Sequence, residues 1–102
     1  MKPLIFSPRA SVEVQEAQDW YKSLETNLGE RFFQSLECVL SEIHTSPERP
    51  RRFYKAFRKV LLSRFPYHVI YEDLSDHIRI IAVVDARRNP ATLLRRLNAN
   101  ES

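Results

Sequence analysis

The run from Arg58 to Tyr71 limits what this chain can fold into more than any other stretch. Arg58-Lys59-Val60-Leu61-Leu62-Ser63-Arg64 mixes cationic and apolar residues, Phe65-Pro66 interrupts it, and Tyr67-His68-Val69-Ile70-Tyr71 resumes with β-branched and aromatic side chains. Two such runs on either side of a proline break read as adjacent antiparallel strands. Arg58 and Arg64 stand six apart, so an unbroken strand over 57–64 puts both on one face. A sheet with guanidinium groups on one side and aliphatics on the other suits phosphate or acidic protein.

The rest of the chain supplies what that sheet must pack against. Leu4-Ile5-Phe6 reads as an edge strand, after which Ser7 is a good N-cap and Pro8 fits the first helical position. Ala10, Val14, Ala17, Tyr21 and Leu24 follow at helical spacing, with Glu13, Glu16 and Asp19 largely off that face. Trp20 flanks the stripe and is expected to pack. Gly29, the only glycine, is expected to break this helix from a second over about 30–45. Phe32, Phe33, Leu36, Val39, Leu40 and Ile43 form a wide apolar stripe on the second helix, where Cys38 is expected in the core. Two amphipathic helices with a short connection make an antiparallel hairpin.

Ser46 to Arg52 carries Pro47, Pro50 and three arginines, so it reads as a linker loop. Strands are expected over 53–56, 57–64, 67–74 and 77–85, the last two joined by a tight turn at Ser75-Asp76. Simple alternation places Ile78, Ile80, Ala82 and Val84 on one face of the last strand, with Ile81 and Val83 on the other. Thr92 to Leu97 is expected to form a basic helical turn with Arg95 and Arg96 solvated, and 98–102 a flexible tail after a single domain over 1–97. The fold class is therefore α+β, a helical hairpin on one face of a small, mainly antiparallel sheet.

Charge is unevenly spread along the 102 residues. Residues 1–48 hold 4 Lys/Arg against 8 Asp/Glu, and residues 49–102 hold 12 against 5. The basic half implies an anionic partner, nucleic acid or an acidic protein segment. No stretch is long and apolar enough for a membrane span or a signal peptide, and a single cysteine fits a reducing cytoplasm. His44 and His77 lack neighbours at ligand spacing, and one glycine cannot make a phosphate loop, so neither a metal nor a cofactor is expected.

Several blocks resemble the RelE/ParE superfamily of type II toxin–antitoxin toxins. They are Ser7-Pro8, Ala17-Gln18-Asp19-Trp20-Tyr21, Leu28-Gly29-Glu30-Arg31-Phe32, Arg64-Phe65-Pro66-Tyr67-His68-Val69-Ile70-Tyr71 and Ala82-Val83-Val84-Asp85-Ala86-Arg87-Arg88-Asn89-Pro90. Within it the chain looks more like the ParE branch. That resemblance implies a toxin held silent by a cognate antitoxin, whose target is DNA gyrase and which has no catalytic residue to name. The RelE-like alternative is a metal-independent, ribosome-dependent mRNA endonuclease, which needs a base, an acid and cations for the phosphorane. Lys59, Arg64, His68 and Arg87 are the candidates here, while Leu93 stands where the RelE pattern has a tyrosine. Partner contact is expected at Arg58, Arg64, Arg87 and Arg88. A third alternative is a stand-alone RNA- or protein-binding module.

Overall fold

The computed structural model describes residues 1–100. Its elements are β1 (Leu4–Phe6), α1 (Pro8–Leu24), α2 (Thr26–Thr45), β2 (Arg52–Tyr54), β3 (Phe57–Leu61), β4 (Tyr67–Asp73), β5 (Ile78–Asp85) and α3 (Pro90–Asn100). Among the described residues one sheet runs in the order β1-β5-β4-β3-β2. β1 is parallel to β5, and every other pairing is antiparallel. No described helix is long and apolar enough to cross a membrane.

Ser7 begins α1 as its side-chain oxygen accepts from the Ala10 amide at 3.1 Å, and Pro8 takes the first helical position. The break between α1 and α2 falls at Glu25, not at Gly29. Glu25 is extended (φ −160°, ψ 133°), its amide bonds the Tyr21 carbonyl, and its carbonyl accepts from Leu28. Extended backbone needs no glycine. Gly29 instead lies in the first turns of α2, where a Cβ would stand 3.0 Å from the Gln18 carbonyl oxygen and 3.0 Å from Lys22 Cβ. The two helices approach closely here, and a side chain at this position would have to push its neighbours aside by a few tenths of an ångström.

The hairpin packs on one face of the sheet. Phe32, Leu36, Val39 and Ile43 from α2 meet Val69, Tyr71, Ile78, Ile80 and Val83, all at most 5 % exposed. Tyr21, Phe32, Phe65 and Tyr67 form one aromatic cluster, with ring centroids 4.9–6.1 Å apart, mostly edge to face. The stripes are narrower than their spacing suggests. Trp20, Leu24 and Phe33 are exposed, as is Cys38 on the outer side of α2.

The opposite face is covered by α3. Leu97 is fully buried with Phe57, Ile70, Ile81 and Ala82, and Leu93 and Val84 pack at the margin. Two departures from the simple pattern make this possible. In β5, Ile70 pairs with Ala82 and Tyr71 with Ile80, so Ile81 is an extra, bulged residue. The bulge shifts the alternation: Ile78, Ile80 and Val83 face the hairpin, while Ile81, Ala82 and Val84 face α3. Second, α3 continues past Leu97, where a flexible tail was expected. Asn98 accepts bonds from the Tyr54 hydroxyl (2.5 Å) and Lys55 (2.9 Å), fixing the end of α3 against β2. Glu101 and Ser102 lie outside the described residues.

Candidate functional site

Where β5 ends, the chain turns into α3 and opens a cleft of about 410 Å³ between the start of α1, the last residues of β5 and the start of α3. Its geometry follows from the local backbone. Asp85 accepts from the amide of Arg87 at 2.9 Å, and its carbonyl accepts from Arg88, which tightens the turn after β5. Asn89 then caps α3, accepting from the Ala91 amide at 2.9 Å. Arg88 is thereby held at the cleft mouth. Lys59 and His68 enter from the sheet. Lys59 pairs with Ile70 and Leu61 with His68, so both side chains stand on the α3 face as diagonal neighbours. Arg9, the second residue of α1, closes the ring.

The electrostatics separate committed charges from free ones. Glu13 bonds the Val83 amide at 3.0 Å and forms an ion pair with Arg96, whose side chain is 11 % exposed against 16 % for Glu13. Arg96 also donates to the Ile81 carbonyl at 2.8 Å. This pair seals the part of the β5 edge left open where β1 stops, and it ties α1 to α3. Arg96 was expected to be solvated, and helical periodicity alone does not show that a bulged strand edge needs a donor at that position. Asp85 is held by Arg87 through two bonds, at 3.0 and 2.8 Å. The Arg87 hydrogen bond pulls the Asp85 carboxyl down to about 2 and pushes the Arg87 guanidinium up.

Arg9 and Arg88 form no side-chain hydrogen bond or ion pair among the described residues, and Lys59 rests 4.6 Å above the Phe53 ring. His68 is half-buried and makes no hydrogen bond there. Burial first, then the Lys59 charge, lowers its pKa. Val84 and Leu93 form an apolar floor.

Of the sequence candidates, Lys59, His68 and Arg88 meet in this cleft. Arg58 does not. It lies on the hairpin face of β3, where its guanidinium donates to the carbonyls of Glu48 (3.1 Å) and Pro50 and holds the linker loop. Tyr71, whose burial raises its hydroxyl to about 12, secures the same loop by donating to the Pro47 carbonyl at 2.7 Å. Arg64 is not on a strand with Arg58, because β3 ends at Leu61 and Arg64 sits in a bend with φ +70°. It lies apart from the cleft. Arg87 lines a neighbouring groove along α1 with Trp20, Glu16 and Tyr67, and is tied to Asp85. Sequence reasoning missed Arg9, Glu13 and Arg96. None of the three carried a local signal, since packing between α1, β5 and α3 is what brings them to the cleft. Among the described residues no three His, Cys, Asp or Glu side chains gather as a metal ion would require.

The family described as "ParE toxin of type II toxin-antitoxin system, parDE" matches residues 4–90. No curated protein matches the sequence. Solved structures share the fold. The chromosomal ParDE toxin–antitoxin system from P. aeruginosa superposes with TM-score 0.65 at 15 % identity, covering 85 % of this chain and 98 % of that one. An E. coli RelE toxin mutant in complex with an antitoxin RelBc peptide gives TM-score 0.62 at 22 % identity, covering 92 % and 93 %. The isolated E. coli RelE toxin gives 0.56 at 20 % identity, covering 95 % and 99 %.

Proposed function

Because the chain belongs to the ParE toxin family of type II toxin–antitoxin systems, we propose that it arrests growth in the cytoplasm by binding DNA gyrase, and that a cognate antitoxin keeps it silent. The composition of the cleft carries this reading. It offers cations and an apolar floor, which bind, but both of its carboxylates are committed to arginines. Leu93 lines the cleft where the RelE pattern has a tyrosine. Acid–base cleavage needs two groups that can exchange protons with substrate, and His68 is the one imidazole present. Purified protein added to gyrase and relaxed plasmid is expected to block supercoiling in proportion to dose. Unimpaired supercoiling at saturating toxin overturns the proposal.

One observation favours a second reading, mRNA cleavage on the ribosome. Lys59 and His68 stand together beside Arg88, and a histidine with a lowered pKa is neutral near pH 7, as a general base must be. Mapping mRNA 5′ ends after induction tests it. New ends on ribosomes that vanish with His68→Gln would favour cleavage, whereas growth arrest with intact mRNA removes this reading.

A further inference from the structure

The linker loop and the strand after it carry charge that nothing in the fold answers. Arg49, Arg51 and Arg52 are exposed and form no side-chain hydrogen bond or ion pair among the described residues. Glu48 precedes them and Glu42 lines a shallow cavity with Arg49, yet neither carboxylate forms an ion pair among the described residues. Arg52 begins β2, the outermost strand, and stands opposite Arg58 on β3. Like charges opposed across two strands weaken a sheet. One charge would guard a three-residue edge strand against pairing with other chains, whereas here three guanidiniums fall within residues 49–52.

The loop that presents them is held firmly. Arg58, half-buried, donates to the Glu48 and Pro50 carbonyls, and the fully buried Tyr71 donates its hydroxyl to the Pro47 carbonyl. The Arg49 amide bonds the Ser46 carbonyl at 3.2 Å, and Pro47 and Pro50 stiffen the backbone further. Interior side chains thus fix a segment whose own arginines remain in water. Cations held in place before a partner arrives lose less freedom on binding it.

The kind of partner follows from charge density. A single carboxylate gains little from an exposed arginine, because water and salt screen the pair. Duplex DNA carries one negative charge per about 1.7 Å of axis and releases condensed counterions to each cation that binds. Single-stranded nucleic acid is held largely by stacking on free aromatic faces. The rings beside these arginines are occupied: Lys59 lies 4.6 Å from the Phe53 centroid and Lys55 lies 5.5 Å from that of Tyr54, whose hydroxyl is bonded to Asn98.

We propose that Arg49, Arg51 and Arg52 form a sequence-independent site for the phosphate backbone of duplex DNA. None of the three lines the cleft. The choice of DNA rests on the reading that the toxin acts on gyrase, whose substrate is a DNA duplex; the charge and rigidity of the loop do not depend on it. A toxin that holds the duplex meets its target where the target works.

The test is fluorescence anisotropy of a labelled DNA duplex of about 20 base pairs, titrated with the full chain at about 50 mM and about 200 mM salt. Three phosphate contacts imply a slope of about −2.7 in log affinity against log salt, a loss of about fortyfold between the two concentrations. Arg51→Gln and Arg52→Gln are each expected to weaken binding about tenfold at the lower salt and to make the slope shallower by about one, whatever the duplex sequence. Arg88→Ala, in the cleft, is expected to leave the slope intact. Circular dichroism of each variant confirms that it is folded. Absence of binding at about 10⁻⁴ M protein and the lower salt overturns the proposal. So does indifference of affinity to Arg51→Gln and Arg52→Gln, or a larger loss from Arg88→Ala than from either. Tighter binding of a polyglutamate peptide or of duplex RNA of the same length overturns it too. Supercoiling inhibition by the same preparations keeps the two readings distinct. A toxin that blocks gyrase but ignores the duplex sinks this inference alone, and one that binds the duplex through these arginines yet leaves gyrase unaffected upholds the site and sinks the gyrase target.

Discussion

The two faces of the sheet are covered by helices in different ways. On the hairpin side, two long helices bury a continuous layer in which four aromatic rings pack mostly edge to face, and the charged groups stay outside or, like Arg58, reach the rim of a loop. On the other side, one helix of 11 residues covers a smaller patch around Leu97 and leaves Lys59 and Leu61 exposed beside it. The first face has little to offer a partner. The second keeps a stable patch and an open cleft side by side, and so, on the proposed reading, recognition and stability are largely assigned to different residues. Glu13 and Arg96 are where the two assignments meet.

The largest effect is expected on the closed face. Phe32→Ala removes the ring at the centre of the aromatic cluster and should lower unfolding free energy by about 3–5 kcal/mol, read from urea midpoints. If the loss were under about 1 kcal/mol, the closed face would not be the main store of stability. Next comes the seam. Glu13→Ala leaves the Arg96 charge and the Val83 amide without this partner in a nearly buried position, and should cost about 2–3 kcal/mol. It should also speed amide exchange in α3 more than in α2; equal acceleration of both helices would mean that the pair does not link α1 to α3.

Arg58→Ala should cost about 1–2 kcal/mol through the two carbonyls it leaves behind, with loop 46–51 becoming easier to proteolyse. Its target binding should be unchanged, which sharpens the contrast with Arg88→Ala. The smallest effect concerns Asp85. Its carboxyl is lowered when folded, so its stabilising contribution is complete above the unfolded value near 4 and is lost as pH falls toward about 2. Asp85→Asn should remove that acid-side slope from a pH series of urea midpoints while leaving neutral-pH folding intact. An unchanged slope would show that the Arg87 pair does not set it.

Much of the closed face was legible in the sequence, since its residues recur with helical and strand periods and Ser7-Pro8 marks a helix start by local chemistry. What was not legible depended on contacts between distant residues. Gly29 reads as a break in isolation, yet its role is set by the proximity of Gln18 and Lys22 across the hairpin. The Ile81 bulge moves Ala82 and Val84 to the α3 face without leaving a mark in composition. Arg64 follows two strand-like leucines, but Leu62 bonds back to Tyr67 and closes the turn first. At the site, Lys59, His68 and Arg88 could be proposed from strand neighbourhood and the loop after β5. Arg9 could not, because nothing in residues 1–20 reveals that the start of α1 lies beside residues 84–93.

The parallel pairing of β1 with β5 has a consequence for how the chain is made. Leu4–Phe6 is synthesised long before its hydrogen-bonding partner, Ile78–Ile80. Until then the opening strand is an unpaired ribbon, and contacts of such wide sequence separation form slowly. The cation ring, drawn from residues 9, 59 and 88, is completed later still. A ribosome that stalls before Arg88 therefore leaves a chain without a complete cleft, and the chemistry of that cleft is confined to chains translated past this residue.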